Sequence, residues 1–228
     1  MAKNKYKMPT QKSSKVFPIV ISLVMIALIG IVALTVSSNK KPEGKKGVVE
    51  VSSNVNVVAS TVNSKTGPAA LAPLAENGQD SEIGKLVPTF TAKDFQDSDV
   101  TVAPGKKPYV LAFVAHWCPH CISEVPLIVG LHDEGKLPKD VDVIAVATGT
   151  DSTRGNYPPS KWLSKEEWPW QIVADNQAND VLSAFGGSGF PYLVYIKADG
   201  TIQARTSGES EAETVISNMN AISLSKGK

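Results

Sequence analysis

The sequence is poor in cysteine. Among 228 residues only Cys118 and Cys121 are cysteines, and two residues separate them. A disulfide that closes so short a loop removes little chain entropy, which argues against a purely structural bridge. Because no other thiol is present to exchange with the pair, the two cysteines predict a reversible redox site.

The longer, C-terminal part of the chain lacks an excess of basic residues. Residues 1–80 contain ten Lys and four acidic residues, whereas residues 81–228 contain thirteen Lys or Arg and eighteen acidic residues. An acidic domain argues against nucleic acid as a partner, because binding to phosphates needs a basic face.

No charged residue occurs between Val16 and Asn39, and Val16–Val36 is almost wholly apolar. As a helix this run would span about 32 Å, which matches a hydrocarbon core of about 30 Å. A cleaved signal peptide usually has an apolar core of about 7–15 residues and a small-x-small cleavage site, and neither fits well. A lipoprotein is excluded because no cysteine directly follows the span. We therefore predict an uncleaved, single-pass transmembrane signal-anchor over residues 16–36.

The orientation of this anchor follows from the segments on either side of it. Residues 1–15 carry five Lys and are predicted to be a cytoplasmic basic tail. Residues 37–80 are rich in Ser, Asn, Val, Ala, Gly and Pro, and we predict a flexible linker there. A domain over residues 81–225 would then lie outside the cytoplasm.

The domain alternates between strand and helix patterns, which favours an α/β fold with a mixed sheet. Asp199-Gly200 between two strand patterns predicts a hairpin. The predicted strands are 100–102, 109–115, 141–147, 171–174, 191–197 and 201–206. The predicted helices are 119–134, 159–167, 179–185 and 209–222.

The strand over residues 109–115 ends just before Cys118, which places this thiol at the first turn of the next helix. The positive end of the helix dipole and free backbone N–H groups would stabilise its thiolate. We interpret Cys118 as the nucleophile and Cys121 as the thiol that resolves the mixed disulfide. The imidazole of His120, between the two thiols, would further favour the charged form of Cys118.

Four sequence features in order resemble the membrane-anchored TlpA/ResA-like thioredoxins of bacteria. The opening segment Ile83–Phe90, the signature Trp117-Cys118-x-x-Cys121-x-x-Glu124-x-Pro126, the segment Gly189-Phe190-Pro191 and the turn Asp199-Gly200 carry this resemblance over roughly 140 residues. It implies a thioredoxin-like fold, with a central mixed sheet flanked by helices, and a thiol–disulfide oxidoreductase activity.

The resemblance also assigns roles to further residues. Glu124 lies where this group places a carboxylate near the thiols, and it could take the proton of Cys121 if burial raises its pKa. Pro191 would be a cis proline opposite the active site, with the Phe190 backbone available to a substrate strand.

The sequence departs from this pattern at two places. Ala112 stands where thioredoxins proper carry a buried Asp, and Pro119-His120 is the dipeptide of the oxidising DsbA-like proteins. We assign Pro119, His120 and Trp117 to tuning of the Cys118 thiolate. The TlpA/ResA resemblance implies a reductant of disulfides and the dipeptide implies an oxidant, so the direction of exchange stays open.

The sequence as a whole predicts an extracytoplasmic oxidoreductase tethered to a bacterial plasma membrane, which exchanges a Cys118–Cys121 disulfide with protein thiols and disulfides. Membrane anchoring implies electron exchange with a membrane partner. We expect a monomer with no cofactor, no metal and no nucleic acid. The alternative is a copper-binding, metallochaperone-like module that uses the two thiols and a His; His116 would have to turn toward them.

Overall fold

The computed structural model describes residues 47–75 and 79–224. The predicted basic tail and the transmembrane signal-anchor at Val16–Val36 lie outside these residues. Within the described ranges, no helix combines the length and the apolar character that crossing a membrane requires.

The described part of the chain contains ten strands and four helices. The strands are β1 (Asn56–Val58), β2 (Thr61–Val62), β3 (Lys65–Thr66), β4 (Thr89–Lys93), β5 (Asp99–Val102), β6 (Tyr109–Val114), β7 (Asp142–Ala147), β8 (Ile172–Ala174), β9 (Tyr192–Ile196) and β10 (Ile202–Ser207). The helices are α1 (Pro119–Asp133), α2 (Pro159–Lys165), α3 (Asp180–Ala184) and α4 (Ala212–Ile222).

The central sheet is mixed, as the sequence predicts. Its order is β1-β4-β8-β7-β6-β9-β10, with β5 paired to β4. Strand β6 pairs in parallel with β7 and antiparallel with β9, so it is an inner strand. All six of its residues are buried, which explains why its sequence is a continuous apolar run without alternation. The carboxyl end of this inner strand leads into the two cysteines.

Successive side chains of β6 point to opposite faces of the sheet and enter two different cores. Val110, Ala112 and Val114 belong to a cluster that includes the side chains of helix α1 and helix α4. Leu111 and Phe113 belong to the cluster on the other face. The sheet is therefore covered on both sides, and Ala112 is wholly buried in the core that contains both thiols.

The structure differs from the prediction of a flexible linker over residues 37–80. Its described part belongs to the same compact unit as the domain, so the predicted boundary at residue 81 is wrong for residues 47–75. Strand β1 extends the central sheet through β4. Ser52 is buried, and its hydroxyl donates to the Ala174 carbonyl at 2.7 Å. The same hydroxyl accepts the Lys93 N–H at 2.8 Å, so Ser52 satisfies the backbone of two neighbouring strands.

A buried ion pair attaches the end of this N-terminal segment to the sheet. The Arg205 guanidinium donates through Nε to Asp80 Oδ2 at 2.8 Å and also contacts the Ala72 carbonyl at 2.8 Å. The Arg205 side chain is 1% exposed and the Asp80 side chain is 10% exposed. Burial raises the pKa of Asp80, but hydrogen bonds and the positive charge of Arg205 outweigh it and hold the pKa below its usual value.

Asp80→Asn should strongly destabilise the protein, by about 3–5 kcal/mol, because it leaves the Arg205 charge buried without a counter-charge. Urea unfolding near pH 7 measures this loss. Asp142→Asn removes an exposed partner of Lys107 and should leave stability nearly unchanged. Since the Asp80 pKa is lowered by folding, the difference between wild type and Asp80→Asn should shrink as pH falls below about 4. A loss that is equal for both variants would contradict this role of Asp80.

Candidate active site

Cys118 lies at the junction between the buried strand β6 and helix α1. It is the N-cap residue, with extended backbone angles, and Pro119 occupies the first helical position. Proline suits this position because its fixed φ is helical and its missing N–H would have no partner there. The Cys118 N–H donates to the Ala115 carbonyl at 3.0 Å, and its own carbonyl accepts from Ile122 at 3.0 Å. These bonds hold the sulfur at the positive end of the helix.

The two cysteines are free thiols with unequal access to solvent. Cys118 is 7% exposed, whereas Cys121, one turn into the helix, is fully buried. The Cys121 sulfur accepts the Ala115 N–H at 3.4 Å. Burial raises the pKa of the Cys121 thiol, and the nearby charges of Cys118 and Glu124 raise it further. Cys121 therefore needs a base before it can act as a nucleophile.

Glu124 supplies a carboxyl group on the same face of helix α1 as Cys121, three residues further on. Its side chain is fully buried, and Oε2 accepts the Ser210 N–H at 2.8 Å. No described residue donates to its other oxygen. Burial raises the pKa of the Glu124 carboxyl, while the bond from Ser210 opposes that shift. The predicted condition for proton transfer, a raised pKa, is met.

The loop before β9 forms the opposite wall of the site. The Phe190–Pro191 peptide bond is cis, as the sequence predicts. The Phe190 carbonyl lies 3.5 Å from the Cys118 sulfur, which donates to it. The Phe190 ring packs edge-on against Trp117, with the ring centroids 5.9 Å apart. Both predicted substrate-contacting residues thus lie beside the outer thiol.

Trp117 is fixed by two contacts from the loop that follows β7. Its indole N–H donates to the Gly149 carbonyl at 2.7 Å. The Arg154 guanidinium lies 4.0 Å from the centre of the indole ring, a cation–π contact. The sequence interpretation missed Arg154. A usable signal was that arginine occurs only twice in a chain rich in lysine, since stacking on an aromatic face favours arginine.

A buried polar network, also missed, supports this loop from below. The Asn179 side-chain oxygen accepts the Gly149 N–H at 2.8 Å and the Thr148 hydroxyl at 3.0 Å. The Thr148 hydroxyl also contacts the buried carboxylate of Asp175 at 3.1 Å. The network fixes Gly149, and through its carbonyl the position of Trp117.

His120 lies at the surface and pairs with an acidic side chain from a distant part of the chain. Its side chain is 64% exposed, and Nδ1 lies 3.1 Å from Glu209 Oε2. Glu209 lies 89 residues further along the chain. Its carboxylate and a Cys118 thiolate would therefore compete for the His120 ring. Tuning of the thiolate by His120 and Pro119 stays a prediction.

His116 is directed at a loop and not at the thiols, which is the opposite of what the copper-binding alternative requires. Its Nδ1 lies 2.7 Å from the Gly155 carbonyl, and Nε2 accepts the Asp151 N–H at 3.2 Å. Both ring nitrogens are thus occupied. Across residues 47–75 and 79–224, no group of three or more His, Cys, Asp or Glu side chains is arranged to hold a metal ion.

Comparison with known proteins identifies the domain. The model of the Redoxin family matches residues 82–222. No curated protein gives a significant match. Among solved structures, a protein proposed to be the thiol:disulfide interchange protein DsbE of Chlorobium tepidum is 17% identical, with a TM-score of 0.52, and the match covers 61% of this chain and 96% of that one.

Two further structures are similar. The thioredoxin domain of a thiol-disulfide oxidoreductase from Bacteroides vulgatus is 21% identical, with a TM-score of 0.50, over 60% of this chain and 98% of that one. A thiol:disulfide interchange protein of the thioredoxin family from Chlorobium tepidum TLS is 18% identical, with a TM-score of 0.50, over 63% and 99%. At these identities the likeness establishes the thioredoxin-like fold.

Glu124→Gln should gain stability relative to wild type as pH rises from about 4.5 to 8. The wild-type carboxyl has a raised pKa, so ionising it inside the protein costs stability above the unfolded pKa of about 4.3. Glutamine stays neutral and can still accept the Ser210 N–H. Urea unfolding across this pH range measures the difference in free energy of unfolding, and a difference that is independent of pH would contradict a buried, titrating Glu124.

Proposed function

We propose that this chain, which belongs to the Redoxin family and is a thiol–disulfide oxidoreductase, acts on protein disulfides outside the cytoplasm while tethered to a membrane. The observation that best supports this reaction is the unequal burial of the two thiols. Cys118 reaches the surface beside the Phe190 carbonyl, whereas Cys121 is enclosed next to the carboxyl group of Glu124.

The first step is attack by the outer thiol. The Cys118 thiolate attacks one sulfur of a substrate disulfide, forms a mixed disulfide and releases the other substrate sulfur as a thiolate. Cys118 is the N-cap of helix α1, so its sulfur lies at the positive end of the helix dipole before attack. The Phe190 carbonyl contacts the same sulfur, which supports the proposal that the backbone of Phe190 and Pro191 binds an extended substrate segment.

The second step resolves the mixed disulfide. Glu124 accepts the proton of the buried Cys121 thiol, and the resulting thiolate attacks the Cys118 sulfur. This closes the Cys118–Cys121 disulfide and releases the reduced substrate, with two electrons transferred from the protein to the substrate. The reverse sequence oxidises a substrate dithiol, so the reduction potential relative to each partner sets the direction.

The location outside the cytoplasm is supported by the sequence. The apolar run Val16–Val36 is long enough to span a bilayer, and five Lys precede it. A domain held at the outer face of the plasma membrane would exchange electrons with a membrane partner. It would act on secreted or membrane-bound proteins, because disulfides persist outside the cytoplasm.

Cys118→Ser should abolish disulfide exchange, because it removes the attacking sulfur, whereas Cys121→Ser should accumulate mixed disulfides that cannot be resolved. Reduction of insulin by dithiothreitol measures exchange, and non-reducing electrophoresis detects the adducts. Both substitutions are nearly isosteric, so each variant serves as the folding control for the other. Undiminished exchange by Cys118→Ser would contradict the proposed function.

Membrane tethering should be visible in fractionated bacterial cells. The full chain should remain with membranes after alkaline carbonate washing, and alkaline phosphatase fused after residue 228 should be active, since that enzyme needs an oxidising compartment. A chain without residues 1–36 should lose both properties. An inactive fusion on a membrane-bound full chain would contradict the proposed orientation.

A further inference from the structure

The loop between β10 and α4, residues 208–211, contacts three different parts of the candidate active site. The Gly208 N–H donates to the Pro191 carbonyl at 2.9 Å. The Ser210 N–H donates to the Glu124 carboxylate at 2.8 Å. Between these two anchors, the Glu209 carboxylate lies 3.1 Å from Nδ1 of His120. One short loop thus touches the cis proline, the buried carboxyl group and the dipeptide between the cysteines.

We propose that Glu209 sets the reduction potential of the Cys118–Cys121 pair, by binding His120 and offsetting the positive charge that the protonated ring brings to the Cys118 sulfur. The inference rests on the proposed function and concerns the redox poise of the same site. Glu209 acts through His120 and is therefore a positioning residue, with no direct part in the chemistry.

The imidazole of His120 has two possible negatively charged partners. His120 is the second residue of helix α1 and a close neighbour of Cys118 along the chain. When protonated, its ring can be attracted either to a thiolate at Cys118 or to the Glu209 carboxylate. Its side chain is 64% exposed, so packing does not restrict the choice. In the structure the ring is bound to Glu209.

The neighbours of Glu209 fix its position. Gly208 has a φ of +86°, in the left-handed region, and this turn directs the chain toward the N-terminal turns of helix α1. The backbone bonds of Gly208 and Ser210 go to the walls of the site and would form whatever side chain residue 209 carried. The sequence therefore places a carboxylate where the loop brings it to His120.

The pairing of Glu209 with His120 affects the equilibrium between the Cys118–Cys121 disulfide and its dithiol. A thiolate that is stabilised by a nearby cation stabilises the reduced protein and makes the disulfide a stronger oxidant. A carboxylate that pairs with the same cation acts in the opposite direction. Glu209 therefore makes the Cys118–Cys121 disulfide a weaker oxidant than His120 alone would make it.

The test is the equilibrium of the full-length protein with glutathione at pH 7, in which the protein disulfide and two glutathione molecules give the protein dithiol and glutathione disulfide. We expect Glu209→Gln to shift this equilibrium toward the dithiol by about two- to fivefold, the range for a partly exposed charge pair. Glu209 is exposed and its backbone contacts stay, so the melting temperature should change little.

Two further variants separate the proposed route from a general effect of charge. In a His120→Asn background, Glu209→Gln should have no further effect. Glu211→Gln removes the same charge two residues away, from an exposed side chain that forms no capping bond. It should equilibrate like wild type.

The inference would be overturned if Glu209→Gln matched wild type, if Glu211→Gln shifted the equilibrium as much, or if the effect of Glu209→Gln persisted without His120. In each case the wild-type disulfide would still equilibrate with glutathione and the proposed function would stand. A wild-type protein that forms no Cys118–Cys121 disulfide would overturn both the proposed function and this inference.

Discussion

The junction between an inner strand and the helix that follows it is the constraint on which the site depends. Strand β6 is hydrogen-bonded on both sides and buried on both faces, so its end cannot move without disturbing the sheet. Helix α1 begins directly at that end, with Cys118 as its N-cap. One helical turn separates the two sulfurs, and the same junction leaves Cys118 7% exposed while it buries Cys121 completely. The different chemical roles of two identical thiols follow from this geometry.

The parts of the fold that the sequence predicts well are those governed by local patterns. The apolar runs over β6 and β7 and the Asp199-Gly200 turn give the strands within one or two residues. The cysteine spacing and Gly189-Phe190-Pro191 identify the two walls of the site, because each is a short motif with its own backbone geometry. From the sequence, the role of Glu124 depends on the condition that burial raises its pKa, and that burial comes only from the folded chain.

The features that the sequence could not predict depend on contacts between residues far apart in the chain. The composition of the 47–75 segment favours a linker, yet the Ser52 hydroxyl donates to the backbone of a strand 122 residues away. Arg154 and Glu209 belong to loops without a motif, and only the folded chain brings them to Trp117 and His120. Local periodicity contains no information about such pairings, since it records only which face of an element is buried.

The roles proposed for Cys118 and Cys121 require that the two thiols of the reduced protein differ in access and reactivity. Treatment of the native dithiol protein with a limiting amount of iodoacetamide, followed by peptide mass spectrometry, measures which sulfur is alkylated first. The unequal burial of the thiols and the raised pKa of Cys121 predict that Cys118 is modified almost exclusively until the protein is unfolded. Equal alkylation of both cysteines, or earlier alkylation of Cys121, would contradict the account.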